Sequence, residues 1–243
     1  MHKIMMGLIC ALLSMQAVLA NDADIIQVKK ALESVAPGAK PDSIVATTLP
    51  GLYEVTVGAE VVYISKDGRY MLQGDLVDVQ TQKNLTEAKR ATGRLKLVNA
   101  LGENAMIVFA PKNQQAKHTI TVFTDVDCAY CRKMHTEMGE LNRQGIKVRY
   151  LMFPRSGRNT PSYDKAVSVW CSKDRNGALT RAKATGDIER KTCANPVDQH
   201  MVLVDRLGIT GTPSLMLENG SILPGYVPAQ RLSKLLDENR SVQ

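Results

Sequence analysis

The feature that most constrains this chain is Cys128-Ala129-Tyr130-Cys131. It follows the apolar run HTITVFT at residues 118–124 and opens the helix-forming stretch AYCRKMHTEMGELNRQ. Residues three apart on a helix are neighbours, so the fold must bring a strand end and a helix start to one place. A helix N-terminus carries partial positive charge and unpaired N–H groups, and both favour a thiolate. The thiolate is the form of sulfur that attacks disulfides. The spacing therefore predicts Cys128, at the exposed end, as a nucleophile. Cys131, tucked one turn inside, is the sulfur that resolves the mixed disulfide. Three blander roles compete. A purely structural bridge across three residues is strained and labile. A zinc site needs four ligands, and the remaining cysteines form no second close pair, so no metal is expected. Haem attachment needs His directly after the second Cys, where Arg132 stands.

Residues 1–20, MHKIMMGLICALLSMQAVLA, have one basic residue, an uncharged apolar stretch and small residues before a polar Asn21-Asp22. This is the pattern of a cleaved secretory signal peptide, too short for a bilayer-spanning anchor. Cys10 leaves with it. Cys128, Cys131, Cys171 and Cys193 remain, an even number in an exported, oxidising compartment, which implies disulfides. Four cysteines allow three connectivities, and sequence alone does not choose among them. Closeness on a helix favours Cys128–Cys131 and leaves Cys171–Cys193. The remaining chain carries 30 basic and 24 acidic side chains, a net charge of +6. No nucleic-acid motif accompanies that charge, and only 5% of residues are aromatic, so no nucleic-acid partner is expected.

The pattern changes near residue 85. Residues 24–36 set Ile25, Val28, Leu32 and Val35 on one helical face, ended by Pro37-Gly38. Strand-like pieces follow (SIVATTL, LYEVTV, EVVYIS, RYMLQG, LVDVQ), with a tight turn at Lys66-Asp67-Gly68. A unit of roughly 60 residues buries little core alone, so pairing of sheet edges between two copies is expected. Residues 86–100 suit a solvated connecting helix, with Thr86 as its cap and Gly93 as a bend. From residue 104 strands alternate with helices, the mark of an α/β sheet. A mainly helical stretch at 161–207, with breaks at Gly177, Gly186 and Pro196, precedes a hairpin around Asn219-Gly220 and a closing helix. His135 is expected to face solvent, and Met71, Met106, Met134 and Met152 to fill core or cleft.

Several stretches together resemble a known family. They are YISKDGRYMLQGDLVDV, ITVFTDVDCAYC, IKVRYLMFPR, VWCSKD, GITGTPSLML and ILPGY. They are similar to the DsbC family of periplasmic protein disulfide isomerases, and they span nearly all of the chain after residue 20. The resemblance implies a signal peptide at 1–20 and a small α+β dimerisation domain at 21–84. A linker helix at 85–103 then leads to a thioredoxin-like domain with a helical insertion at 104–243. It further implies a homodimer that rearranges wrong disulfides in misoxidised or unfolded exported proteins, with chaperone-like binding of unfolded chains. A membrane thiol reductase of the DsbD type would re-reduce it, and no small-molecule cofactor is needed. By the same likeness Cys128 and Cys131 are catalytic, and Thr212, Pro213 and Tyr130 bind substrate beside them, with Thr212–Pro213 in the place of a cis-proline loop. Cys171 and Cys193 form a structural disulfide, and Gly74 lies at the dimer interface. Two positions depart from the family's habit. Ala129 stands where Gly is usual, and Asp127 precedes the nucleophile, where it can cap the helix or oppose a thiolate. Compared with thioredoxin, the buried acid six residues before the first cysteine is replaced by Val122. A disulfide oxidase of the same fold and a redox-independent holding chaperone are the rival functions.

Overall fold

The computed structural model describes residues 21–112 and 114–241. The proposed signal peptide lies outside them. Among the described residues two compact units are present: one built from residues 21–55 and Val62–Leu72, the other from Thr56–Val61 and the residues from Gln73 onward.

In the first unit α1 (Asp22–Val35) is capped by Asn21, whose side chain accepts from the Ala23 N–H. Its inward stripe is Val28 and Leu32; Val35, in the last turn, is 56% exposed rather than buried. The strands β1 (Ser43–Ala46), β2 (Leu52–Val57), β3 (Glu60–Ser65) and β4 (Met71–Leu72) form a sheet in that order. The β3–β4 turn is at Lys66-Asp67-Gly68. Gly68 has φ +68°, a conformation that L side chains rarely adopt, and the Asp67 carboxylate accepts from Ser65 Oγ and the Arg69 N–H. The edge strand β4 leaves Met71 and Leu72 exposed, with Tyr70 beside it.

In the second unit β5 (Val77–Asp78) and β6 (Lys83–Asn84) form a short ribbon, and α2 (Leu85–Leu101) follows. The cap of α2 is Asn84, accepting from the Glu87 N–H at 2.8 Å, rather than Thr86, which is fully buried and receives the Leu76 N–H. The helix runs unbroken through Gly93. This glycine does not supply a bend. It lets backbone approach backbone: a Cβ there would stand 2.3 Å from the Gly58 carbonyl and 2.9 Å from the Ala59 Cα. The opposite contact is at Ala91, whose carbonyl would meet a Cβ on Gly220 at 2.2 Å. The helix is thus gripped within this unit instead of being solvated all round. Gly93→Ala should cost about 2 kcal/mol, the range of overpacking. An unchanged denaturant midpoint would show that the contact has slack.

The main sheet contains β7 (Ile107–Phe109), β8 (His118–Thr124), β9 (Ile146–Met152), β10 (Ser214–Met216) and β11 (Ile222–Pro224), in the order β11-β10-β8-β9-β7. Only β8 and β9 run parallel, so a crossover joins them, made of α3 (Ala129–Thr136) and α4 (Met138–Arg143). The single helix expected here is divided at Glu137. That residue makes a short-range turn bond to Met134, and its carboxylate accepts from the Ala229 N–H at 2.7 Å, capping α8 (Ala229–Ser241). Three helices stand between β9 and β10: α5 (Pro161–Trp170), α6 (Arg175–Thr185) and α7 (Val197–Arg206). Gly177 is not a break. It lies in the first turn of α6, where the capping Asp174 side chain takes its N–H and would collide with a Cβ. Gly186 is the left-handed C-cap of α6, and Pro196 precedes α7. Asn219-Gly220 joins β10 to β11, with Gly220 at φ +83°. The larger core lies on one side of β8 and β9 and includes Ile120, Val122, Tyr150, Met134 and Leu179; a second contains Phe123, Leu151 and Val98.

Candidate active site

The parallel pair β8–β9 ends at Thr124 and Met152, and the loop Asp125–Asp127 carries the chain from the sheet edge to α3. Asp125 fixes this loop. It is 3% exposed; its carboxylate accepts from the Asp127 N–H (2.9 Å), the Arg155 N–H (3.0 Å) and Ser162 Oγ (2.5 Å). The loop delivers Cys128 to the N-cap position of α3. The cap group is sulfur, which accepts from the Cys131 N–H at 3.4 Å. Asp127 is therefore not the cap. Its carboxylate is held by Lys165 Nζ at 2.7 Å and Arg132 Nη2 at 3.2 Å, two cations that offset the negative charge beside Cys128.

Both thiols are free. Cys128 is only 4% exposed, so it does not stand open at the helix end as its position suggests. The Thr212–Pro213 segment lies against it, and the open residues of the four are Ala129 and Tyr130, the latter 63% exposed. The peptide bond between Thr212 and Pro213 is cis. The Cys128 S–H donates to the Thr212 carbonyl at 3.2 Å. The Thr212 hydroxyl is buried, has no hydrogen bond to any other group among the described residues, and acts on the Cys128 sulfur. Burial works to raise the Cys128 pKa. Hydrogen bonding from Thr212 and Cys131 and the Arg155 charge outweigh it, so the thiol lies below its ordinary value. Cys131 is the opposite case: at 1% exposure, burial dominates and pushes it up, although Lys183 and the Thr124 hydroxyl pull down. The two sulfurs are thereby set apart, Cys128 below the ordinary thiol value and Cys131 above it.

Cys171, the C-cap of α5, is bonded to Cys193 across 22 residues, with Cα atoms 5.7 Å apart. Chain-entropy reasoning gives such a closure about 3 kcal/mol of stabilisation. Gly74 lies in an exposed segment where a Cβ would meet nothing in this chain.

Sequence reasoning missed two residues here. His135 is 7% exposed, bridging Tyr150 Oη (3.2 Å) and Thr180 Oγ1 (3.0 Å) instead of facing water. Lys183, 3% exposed, lies behind the dithiol and donates to Thr124 Oγ1 (2.8 Å) and the Asp125 carbonyl (3.2 Å). A signal for Lys183 exists: α6 buries Ala178, Leu179 and Ala182, and position 183 continues that stripe. No cluster of three or more His, Cys, Asp or Glu able to hold a metal occurs among the described residues.

The profile described as a thioredoxin-like domain matches residues 103–240, and that described as the disulfide bond isomerase protein N-terminal domain matches 16–87. The thiol:disulfide interchange protein DsbC of Escherichia coli K12 is 37% identical over 205 residues, 84% of this chain and 85% of that protein. The chain belongs to the DsbC family. DsbC of Haemophilus influenzae is 32% identical over 242 residues, 98% of this chain and 99% of that one. A crystal structure of a disulfide interchange protein from Neisseria gonorrhoeae aligns at 28% identity with a TM-score of 0.51. The alignment covers 57% of this chain and 98% of that one. The thioredoxin fold and the two-domain composition of DsbC proteins are thus both present. Among the described residues no helix is long and apolar enough to cross a membrane.

Proposed function

We propose that this protein is a periplasmic disulfide isomerase of exported proteins, with Cys128 as the attacking sulfur and Cys131 as the resolving one. The observation that carries the reading is the split between them. Cys128 caps a helix with its sulfur and is eased towards thiolate, whereas Cys131 is buried and held as thiol. The Cys128 thiolate attacks one sulfur of a wrong substrate disulfide. A Cys128–substrate bond forms, and the second substrate sulfur leaves as thiolate. Another substrate thiolate then displaces Cys128, giving a rearranged bond with no net oxidation. Alternatively Cys131, on losing its proton, displaces the substrate. The product is then reduced substrate and a Cys128–Cys131 disulfide, which a membrane thiol reductase of the DsbD type returns to the dithiol. Thr212, Pro213 and the exposed Tyr130 border the sulfur and bind the substrate chain there. The Thr212 hydroxyl, lacking another partner, suits a donor to the Cys128 thiolate.

Residues 1–20 serve as the export signal and 21–84 as a pairing module, 85–103 connect, and 104–243 perform the exchange. The homodimer forms through β4 and the following segment. Tyr70, Leu72, Val77 and Val79 are exposed there, and a Cβ on Gly74 would meet nothing within 4 Å. Unfolded chains bind the same assembly, which gives it a chaperone-like role.

The test has two readings from one preparation. Free thiols are trapped by alkylation in fresh periplasmic extract, and the purified dithiol form is mixed with a scrambled multi-disulfide protein. Two free thiols per chain and recovery of the substrate's native activity are expected. No free thiols, with oxidation of reduced substrate but no recovery of scrambled substrate, would make the protein an oxidase instead.

A further inference from the structure

Proton traffic at Cys131 needs a partner, and Val122, fully buried on β8, offers none. Lys183 comes closest to supplying one. Removing an ammonium from water is costly unless it is well paired, so a lysine at 3% exposure calls for a reason. Its surroundings are defined. Cys131, Cys128, Arg132 and His135 face it from α3, Asp125 from the loop, and the Tyr150 ring from β9, with Nζ 5.7 Å from the ring centroid. Burial lowers its pKa to about 8, even though Cys131, Asp125 and Cys128 act in the other direction. The Thr124 hydroxyl is the link. Its oxygen accepts from Lys183 Nζ at 2.8 Å, which leaves its single proton free, and the Cys131 sulfur is within its hydrogen-bonding reach.

We propose that Lys183, acting through the Thr124 hydroxyl, is the proton reservoir for Cys131. It is a positioning residue for the resolving half of the exchange, and the proposal rests on the assignment of Cys128 and Cys131 above. In one state Cys131 is a thiol donating to Thr124 Oγ1, and the Thr124 hydroxyl donates to a neutral Lys183 amine. In the other, each proton has moved by one bond. Cys131 is a thiolate accepting from the hydroxyl, and Lys183 is an ammonium donating to the same oxygen. The pair is neutral overall in both, so the transfer adds no net charge to the interior. The Cys131 thiolate then attacks Cys128 Sγ. The Cys128–substrate bond breaks, a Cys128–Cys131 bond forms, and the substrate sulfur leaves as thiolate and is protonated by water. When a dithiol reductase reverses the process, Lys183 returns the proton to Cys131.

An aromatic disulfide that releases a coloured thiolate separates the two halves in single-turnover mixing. The first equivalent reports attack by Cys128, the second resolution by Cys131. Wild type, Lys183→Met, Thr124→Val and Thr124→Ser are compared across the pH range around the lysine's titration. In Thr124→Val the first phase should stay within about twofold, and in Lys183→Met it should change less than the second, since the same ammonium also acts on Cys128. The second should slow about tenfold or more, with its midpoint moved to higher pH, and Thr124→Ser should restore it. A second phase with unchanged rate and midpoint in Lys183→Met would overturn the proposal. Should that variant fail to fold, an unchanged second phase in Thr124→Val does the same. A wild type that releases no second equivalent would instead reject the exchange assignment on which the proposal stands.

Discussion

Cys128→Ala should lose isomerase activity down to the background of the buffer's own thiols, while its stability falls only by the cost of a lost helix cap, about 1 kcal/mol. Among the described residues no other sulfur can take over. Cys171 and Cys193 are bonded to each other. Cys131 is 1% exposed, and burial pushes its pKa above the ordinary thiol value, which disfavours its thiolate. The expected loss in exchange rate is therefore about a hundredfold or more, read from recovery of a scrambled substrate. Cys131→Ala should behave differently. Attack proceeds, and a substrate thiol still displaces Cys128, so some rearrangement survives. Chains that find no internal thiol stay attached, and mass spectrometry of acid-quenched samples should show covalent adducts. Equal activity in Cys128→Ala and wild type would remove Cys128 from the mechanism.

The second large effect is on acid stability. His135 and His200 both have pKa values lowered from 6.5 to about 4, chiefly by burial. The geometry at His200 explains why its ring stays neutral. Nδ1 accepts the Met152 N–H at 3.1 Å, so its lone pair is in use, and Nε2 donates to the Ala105 carbonyl at 2.7 Å. Adding a proton would break the first bond. Between pH 6.5 and 4 the unfolded chain binds protons at these two sites that the folded chain refuses. Stability therefore falls as pH falls through that window, and is fully present above it. A shift of this size corresponds to about 3 kcal/mol per histidine, a large part of the stability of an ordinary domain. Urea denaturation at neutral pH and at pH 4 should give a much lower midpoint in acid, and His135→Phe should flatten its share of the slope. A midpoint that held constant down to pH 4 would rule out neutral buried imidazoles. Lys183 works at the other end. Its lowered pKa makes stability rise from about pH 8 towards 10.5, where the unfolded chain alone still holds that proton.

What could be read in advance was whatever the chain encodes locally. The dithiol, the turn at Lys66-Asp67-Gly68 and the hairpin at Asn219-Gly220 depend on residues within a few positions of each other, and each occurs where its spacing places it. An α/β sheet followed from the alternation of strands and helices, and its thioredoxin-like character from the family resemblance of the motifs around it. What escaped reading depends on partners distant in sequence. His135 looks like a polar position on a short helix until Tyr150 and Thr180 close over it. Gly93 looks like a weak point in a helix until the Gly58 carbonyl arrives against it. Cys128 looks open until Thr212, 84 residues later, covers it. Asp127 looks like a cap, yet Lys165 and Arg132 claim its carboxylate and the sulfur takes the cap.

The bond between Cys171 and Cys193 has a consequence for how such a molecule comes into being. Its sulfurs are third and fourth in order after residue 20, and the exchange pair is first and second. Pairing is therefore strictly sequential. A chain threaded out of a membrane from its N-terminus presents each thiol to its proper mate before a wrong one is in reach. The closed loop also contains α6, and with it Lys183, so the bridge closes the stretch that carries the ammonium behind the dithiol. A bond between consecutive cysteines is one that needs no crossed pairing to be undone first.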